Sequence, residues 1–363
     1  MTASETLKQK TIFLTGATGL LGSYLLKTFL ENGNKVYVLA RDKDKKSATQ
    51  RVINILKFWS GENISGLDKL TVFIGDISQN NLGLNQDCID LLKNEVEEIF
   101  HCAASIQFNL SIDDIRKINV EGTKNVLELA LLCKKLNKVN HISTAYVCGN
   151  HKGTFKENDL DLGQTFSTTY QQSKFEAENL VHEYRKKDLW IDIFRPPFII
   201  GESSTGKIIT FHAFYQAISL WANEIFDAFP GKNCYINIIP VDILTQAIIG
   251  IAYNTKAKNE TYHPFPIQPV SLNEVFNMAH SIAHFKTKLI PFKDFNFDGL
   301  TAVQKIIIKN NILYFNEDVS FDSTKTNKVL RENGFVFSKI DEKILLNLAE
   351  YTINKPSTKN IKE

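Results

Sequence analysis

The sequence carries no large excess of either charge. Its 42 lysine and arginine residues nearly balance 40 aspartate and glutamate residues, which leaves a formal net charge of +2 at pH 7. A protein that binds nucleic acid by bulk electrostatics has a large positive excess instead. We therefore expect no nucleic-acid partner, although a local basic patch for a phosphate group is compatible with this balance.

Cysteine is also scarce, with five residues in a chain of 363. Their wide spacing excludes a zinc knuckle or a redox pair, and their odd number favours a reducing compartment. We expect all of them to be packing residues and predict no metal site. The five are Cys88, Cys102, Cys133, Cys148 and Cys234.

Long apolar runs are missing as well. A membrane span needs roughly 18 apolar residues in succession, and the longest candidate, residues 236–252, is interrupted by Pro240, Asp242 and Gln246. Residues 1–10 are polar and lack the apolar core of a signal peptide. We therefore expect a soluble, cytoplasmic protein without a membrane span.

Strand-like apolar runs alternate with helical patterns through the first 200 residues. This alternation predicts an α/β fold, with a Rossmann-type, doubly wound parallel sheet that helices cover on both faces. The predicted strands are Thr11–Thr15, Lys35–Ala40, 72–75, 99–102, 139–143 and 190–194. The predicted helices in this part of the chain are Leu20–Glu31, 119–136 and 170–187.

The pattern changes after Arg195, where proline and glycine interrupt residues 196–206. An aromatic helix is predicted next, over 211–225, with its large apolar residues near one face. We predict three parts: a Rossmann domain over residues 1–200, a smaller C-terminal lobe over 201–355 that is intertwined with it, and a frayed tail over 356–363.

A glycine-rich turn joins the first predicted strand to the first helix. Gly16 permits the tight turn, Gly19 permits close approach of phosphate groups, and Gly22 lets the helix pack on the strand. The N-terminus of the helix then offers backbone N–H groups and a favourable dipole to a pyrophosphate. This strand–turn–helix setting indicates dinucleotide binding. The binding positions predicted in the turn are Gly16, Thr18, Gly19, Leu20, Leu21 and Gly22.

The end of the second strand indicates which dinucleotide is bound. A fold that selects NAD carries a carboxylate there, bonded to the ribose 2′-hydroxyl, but this sequence has Ala40 followed by Arg41. A guanidinium suits a 2′-phosphate by charge and by geometry, and Arg51 can supply a second cation. We therefore predict NADPH rather than NADH, with one complication: Asp42 is also able to reach a ribose hydroxyl.

Two further strand ends are predicted to contact the cofactor. Asp76 and Ile77 follow the third strand. An aspartate at this position can accept a hydrogen bond from the adenine amino group, although a turn-capping aspartate fits the spacing equally well. After the fourth strand, Ala103 and Ala104 are small enough to leave room for the central part of the cofactor. His101, beside them, is interpreted as a packed histidine.

Tyr170 and Lys174 lie four residues apart and therefore on one face of a predicted helix. A free tyrosine has a pKa of about 10, and a nearby ammonium group lowers that value. Thr144 ends the fifth predicted strand, at the edge where such sheets bind their ligands. We predict that Tyr170 is an acid–base group, that Thr144 binds a substrate carbonyl oxygen beside it, and that Lys174 also reaches the nicotinamide ribose.

Taken together, these motifs resemble the extended short-chain dehydrogenase/reductases. Within them the sequence is similar to the thioester reductases: the reductase domains of nonribosomal peptide synthetases and carboxylic acid reductases, and the fatty acyl-CoA reductases. The matching stretches are 14–22, 39–41 with Arg51, 75–77, 100–104, 119–123, 141–144, Tyr170 with Lys174, 195–201 and 240–242. Pro197 stands where the family often has glycine, which affects the wall on the nicotinamide side of the predicted cofactor site.

The resemblance implies NADPH-dependent reduction of an acyl thioester to an aldehyde, with a second reduction to an alcohol left open. The thioester would be carried by the phosphopantetheine of a carrier protein or by CoA and would arrive in trans, with the C-terminal lobe on the substrate side. The aromatic helix over 211–225 would then line an acyl pocket or belong to the core. Alternatives are another extended dehydrogenase, acting on a ketone, an alcohol or a sugar nucleotide, and a non-catalytic NADP sensor.

Overall fold

The computed structural model describes residues 9–107, 110–254, 257–266, 268–302, 304–305, 307–308 and 319–355. The predicted frayed tail, residues 356–363, lies outside these ranges.

The strands and helices alternate through the first half of the chain, as the sequence predicts. The strands are β1 (Thr11–Thr15), β2 (Lys35–Ala40), β3 (Leu70–Ile74), β4 (Glu98–His101), β5 (Lys138–Ile142), β6 (Gly153–Phe155), β7 (Ile191–Phe194), β8 (Phe198–Ile200), β9 (Ala228–Pro230), β10 (Tyr235–Ile236), β11 (Ile238–Pro240), β12 (Thr261–Tyr262), β13 (Val270–Ser271), β14 (Lys288–Ile290) and β15 (Val319–Phe321). The helices are α1 (Leu20–Glu31), α2 (Ala48–Ser60), α3 (Gln86–Glu95), α4 (Ile112–Arg116), α5 (Gly122–Leu132), α6 (Thr169–Arg185), α7 (Ala213–Ala222), α8 (Val241–Asn254), α9 (Leu272–Ala283), α10 (Thr324–Glu332) and α11 (Glu342–Asn354).

Within the described ranges, seven strands form the central sheet, in the order β12-β7-β5-β4-β1-β2-β3. All six pairings between neighbours are parallel. Strands β4, β5 and β7 are buried along their whole length, because helices cover both faces of a parallel sheet. This is the predicted Rossmann-type fold. The strand order reverses between β1 and β4, and such sheets bind ligands outside the carboxyl ends of the strands at that point.

The later part of the chain returns repeatedly to the first layer. Strand β12 pairs with β7 at the edge of the central sheet, β15 pairs with β6, and α8 packs against α1. A second apolar cluster gathers around α7, α9 and α11. The chain after residue 200 therefore contributes to both layers, and the domain boundary at residue 200 stays a prediction.

The aromatic stripe of the predicted helix over 211–225 belongs to this second cluster. Phe214, Tyr215, Ile218 and Trp221 are buried in it, and the ring of Trp221 packs edge-on against Phe229 with centroids 5.6 Å apart. The interpretation of the stripe as core is therefore the one that its burial supports.

Candidate active site

The glycine-rich turn lies at the carboxyl edge of the sheet, between β1 and α1. Gly16 has a φ of +77°, and a Cβ atom on it would lie 2.6 Å from the backbone N of Ala103 at the end of β4. A Cβ on Gly22 would overlap the carbonyl group of Gly16. Helix α1 begins without a side-chain cap and without an acidic residue in its first turn. Its unpaired N–H groups and dipole are thus available to an anion, and the turn fits a pyrophosphate.

The Gly22→Ala variant is expected to lose about 1–3 kcal/mol of unfolding free energy and to bind NADPH more weakly, because the added methyl group displaces the Gly16 carbonyl. Denaturant titration and cofactor fluorescence measure the two effects. Gly250→Ala is the matched control: Gly250 is inside α8, and among the described residues a Cβ there meets only Leu330, at 3.8 Å. It should stabilise the helix by about 0.5–1 kcal/mol. Equal stability of the two variants would contradict the assigned close approach.

Two arginines meet beside the glycine-rich turn. The Arg51 guanidinium donates to the Thr18 hydroxyl at 3.3 Å and to the Arg41 carbonyl oxygen at 2.5 Å. Arg41 in turn donates to the Asp76 carboxylate at 3.1 Å. Burial, together with the positive charge of Arg41, lowers the pKa of Arg51. Two adjacent guanidinium groups at one strand edge form a site that favours an anion.

Both nearby aspartates already have partners. Asp42 accepts from the backbone N of Ala48 at 2.7 Å, at the start of α2, and its contact with a ribose hydroxyl stays an open alternative. Asp76 accepts from the backbone N and the hydroxyl of Ser78, at 2.9 and 2.8 Å, in addition to Arg41. Asp76 thus closes a turn and pairs with Arg41, while its contact with adenine stays a prediction.

The remaining predicted cofactor residues lie along the same edge. Ala103 and Ala104 are half-buried directly after β4, and the Ala103 N–H donates to the Thr15 hydroxyl at 3.2 Å. Ile77 is buried, and a Cβ on Gly122 of α5 would touch it at 2.7 Å, so its side chain packs inside the domain. Pro197 is buried between β7 and β8.

Both ring nitrogens of His101 are hydrogen-bonded inside the domain. It is hydrogen-bonded to Thr15 at 2.8 Å and to Thr123 at 3.0 Å, and burial lowers its pKa to about 3. A neutral histidine with both ring nitrogens occupied matches the predicted packing role.

Thr144 and Tyr170 are brought together from two different elements. Thr144 follows β5 and is buried, while Tyr170 is in the first turn of α6. A capping box formed by Thr168 and Gln171 fixes the start of that helix. The Thr144 side chain lies close enough to the Tyr170 phenol to lower its pKa. Lys174 lies one turn further along α6, where its ammonium group donates to the Ile142 carbonyl oxygen at 2.8 Å.

The pKa values of Tyr170 and Lys174 differ from the sequence-based expectation. Burial raises the pKa of Tyr170 to about 12, and the Thr144 side chain offsets only part of that rise. Burial also lowers the pKa of Lys174 to about 8, against the opposing effect of Glu178. Lys174 therefore does not bring the tyrosine pKa below 10 in the protein alone. A tyrosine with so high a pKa is protonated at neutral pH and therefore carries the proton that a general acid needs.

Comparison with known proteins agrees with this geometry. The sequence profile of the NAD-binding family described as male sterility protein matches residues 14–248. The chain belongs to this family. It is 30% identical over 301 residues to nonribosomal peptide synthetase asaC of Aspergillus flavus, an alignment that covers 78% of this chain and 29% of that protein. It is also 30% identical over 300 residues to the carboxylic acid reductase of Segniliparus rugosus, covering 75% of this chain and 24% of that protein.

The solved structures point the same way. The terminal R domain of the myxalamid biosynthetic pathway superposes with a TM-score of 0.83 at 25% identity, over 98% of this chain and 92% of that one. The predicted fold and the resemblance to reductase domains of such synthetases are therefore confirmed. The chain spans less than a third of the length of either curated relative.

One group of buried polar residues near the site was not predicted as functional. Glu178 lies one turn after Lys174 and pairs with Arg195, while Ser143 donates to the same carboxylate. The signal was present in part: Glu178 continues the four-residue spacing of Tyr170 and Lys174, and Arg195 opens one of the matching stretches. Sequence spacing cannot show that these elements meet.

Asn119, in a π-helical turn over residues 117–121, makes two further polar contacts. Asn119 accepts from the backbone N of Ser105 at 2.7 Å and donates to the Ser173 hydroxyl at 2.9 Å. Through these two bonds Asn119 links the loop after β4 to α6, the helix that carries Tyr170 and Lys174.

The sequence also predicts no metal site and no membrane span. Within the described ranges, no group of three or more histidine, cysteine, aspartate or glutamate residues is arranged to hold a metal ion. In the same part of the chain, no helix is long and apolar enough to cross a membrane.

Proposed function

We propose that this protein reduces acyl thioesters to aldehydes with NADPH. The observation that carries the proposal is the placement of Thr144 beside Tyr170 at the carboxyl edge of the sheet, with Lys174 one turn away. The glycine-rich turn at the same edge fits a pyrophosphate, and the curated relatives include a carboxylic acid reductase.

The chemistry of the site follows from these three side chains. The bound nicotinamide would supply a hydride to the thioester carbonyl carbon. The Thr144 and Tyr170 hydroxyls would hydrogen-bond the carbonyl oxygen, and Tyr170 would give it a proton as negative charge develops there. Lys174 would hold the ribose. The resulting hemithioacetal loses its thiol, so the products are an aldehyde and a free thiol.

The thioester would be carried by the phosphopantetheine arm of a carrier protein or by CoA. Support comes from the relatives, which are much longer proteins such as nonribosomal peptide synthetases. An arm of this kind brings a carbonyl group into a deep site without bringing the carrier itself.

The direct test is incubation of the purified protein with NADPH and a panel of aryl, short-chain and long-chain acyl thioesters. We expect NADPH consumption and an aldehyde product, or the alcohol if a second reduction follows, identified by mass spectrometry. The corresponding free acids are the matched controls and should not react. Absence of turnover with every thioester would reject the proposal, and conversion of a sugar nucleotide without net NADPH consumption would favour an epimerase instead.

The preference for NADPH over NADH is proposed from Arg41 and Arg51. Arg41→Ala should weaken NADPH binding by about 10- to 100-fold, because hydrogen bonds to charged groups contribute about 1.5–3 kcal/mol, while NADH binding should change little. Fluorescence titration of both cofactors measures the difference. Arg331→Ala, which removes an exposed arginine from α10, is the control. Equal affinity for the two cofactors before and after the Arg41 substitution would refute the assignment.

A further inference from the structure

Glu178 is held in one position by several buried donors. Its carboxylate accepts from Arg195 Nε at 3.1 and 3.0 Å and from Arg195 Nη2 at 2.8 Å. The hydroxyl of Ser143, at the end of β5, donates to the same carboxylate. Glu178 is completely buried and Arg195 is 1% exposed. A bidentate arginine contact of this kind fixes geometry as well as charge.

Arg195 is itself fixed by groups away from Lys174. Its Nη1 faces His263 Nε2 at 3.5 Å, and the other nitrogen of that ring is bonded to the Asp322 carbonyl oxygen at 2.7 Å. Because a carbonyl oxygen only accepts, Nδ1 carries the proton and Nε2 presents a lone pair to Arg195. Burial lowers the pKa of His263 to about 3, so the ring is neutral. His263 therefore holds the Nη1 side of the guanidinium, while Nε and Nη2 of Arg195 donate to Glu178.

Titratable groups from three elements surround Lys174. Tyr170 and Glu178 share its helix, one turn before and one turn after it, His101 and Cys102 are at the end of β4, and His141 is on β5. Burial keeps both histidines neutral and raises the pKa of the Cys102 thiol to about 12. Burial alone would raise the pKa of Glu178, but Arg195 and Ser143 outweigh it, and the net shift is downward. Among these described groups, Glu178 alone is negatively charged at neutral pH.

We propose that Glu178 is a positioning residue for the reaction inferred above: its anchored carboxylate keeps Lys174 in the ammonium form that the site uses. The inference rests on the proposed function for its role in turnover, but the charge state of Lys174 is measurable without any substrate. Lys174 makes its hydrogen bond to a neutral carbonyl oxygen, which does not by itself compensate a buried charge. The fixed anion one helical turn away supplies part of that compensation, against the effect of burial.

The test is the Glu178→Gln variant, which removes the charge and keeps the shape. Titration of the Lys174 side-chain nitrogen, followed by NMR of protein with labelled lysine and assigned with Lys174→Met, should move down by about one pH unit or more. Reduction of an acyl thioester should then fall off at correspondingly lower pH on its alkaline side. In wild type, that fall should come near pH 8, where Lys174 loses its proton.

Ser143→Ala is the matched control, because it removes one hydrogen bond to Glu178 and leaves the carboxylate charged. We expect the Lys174 titration to stay where it is in wild type. Since Glu178→Gln leaves Arg195 unpaired and risks misfolding, the double variant Glu178→Gln/Arg195→Met removes both buried charges at once. It should also lower the Lys174 titration, by less than the single variant, because the positive charge of Arg195 is removed together with the anion.

Two results would overturn the inference. One is a Lys174 titration in Glu178→Gln, or in the double variant, within about 0.3 pH unit of wild type. The other is a Ser143→Ala variant that shifts the titration as far as Glu178→Gln does, which would assign the effect to packing. If wild type reduces no thioester, the proposed reaction fails on its own, and the NMR titration still decides the role of Glu178.

Discussion

Tyr170→Phe is expected to lower the turnover of an acyl thioester by about 10²- to 10⁴-fold, the range for loss of a positioned general acid. The variant removes the phenol hydroxyl beside Thr144 and leaves a ring of nearly the same shape. NADPH affinity should stay close to wild type, because the phosphate and ribose contacts are assigned to the glycine-rich turn, the arginines and Lys174. Steady-state kinetics and fluorescence titration separate the two effects.

Tyr37→Phe is the control for this substitution. The Tyr37 hydroxyl, on β2, donates to the Glu95 carboxylate at 2.5 Å. The control removes this hydroxyl from a residue that is not among those assigned to the site. We expect near wild-type turnover from it. If Tyr170→Phe retains more than about a tenth of wild-type turnover at saturating cofactor, another group must donate the proton and the assignment of Tyr170 is wrong.

Much of the fold follows from the sequence because a parallel sheet leaves a plain pattern. Strands buried on both faces give continuous apolar runs, and the observed bounds of β3 and β5 differ from the predicted ones by one or two residues. The edge strand β12 was not predicted. It contains only Thr261 and Tyr262, too few for any periodicity, and it is defined by its pairing with β7 rather than by its own composition.

Helices α2 and α3 were also not predicted, for a different reason. Helix α2 buries only Ala48, Val52, Leu56 and Trp59, one residue per turn, and α3 buries only Ile89 and Leu92. Their other positions are largely polar. A helix that packs on a sheet through so narrow a stripe produces a weak apolar signal, although Ser47 and Asn85 do supply side-chain caps at the two helix starts.

The candidate site divides in the same way between local and long-range information. The Tyr170–Lys174 spacing places both residues on one helical face, and the glycine spacing identifies the turn. Charges and pKa values depend instead on what surrounds each group. The rise in the pKa of Tyr170 comes from burial, and Glu178 receives its partners Ser143 and Arg195 from two other parts of the chain. No spacing rule contains that information.

Lys174→Met is expected to abolish most of the activity while leaving the protein as stable as wild type or more so. Loss of the group that holds the ribose should lower turnover by about 10²-fold or more, because misplaced reactants react slowly. The stability effect has the opposite direction. Burial lowers the pKa of Lys174 from 10.5 to about 8, so keeping the ammonium charged in the fold costs about 3 kcal/mol at pH 7. Methionine removes that cost and leaves the Ile142 carbonyl oxygen without its donor, at about 1–3 kcal/mol.

The pH dependence supplies a second readout. Between pH 8 and pH 10.5 the unfolded wild-type chain keeps the Lys174 proton that the folded protein has released, so the unfolded state binds more protons and wild-type stability rises with pH. That contribution is absent below pH 8, where both states are protonated, and it is complete above pH 10.5. Denaturant titrations at several pH values should therefore show a larger rise for wild type than for Lys174→Met across this window.

Lys138→Met is the matched control for the stability effect. Lys138 is a buried lysine on β5, but its ammonium is paired with the Asp192 carboxylate at 3.3 Å. Removing it leaves a buried charge without this partner, and we expect a loss of about 3–5 kcal/mol. A similar loss of unfolding free energy in Lys174→Met at pH 7 would show that the Lys174 ammonium stabilises the fold as much as the Lys138 ammonium does. A gain in stability together with lost turnover would mean that the site keeps a buried charge which the fold alone does not need.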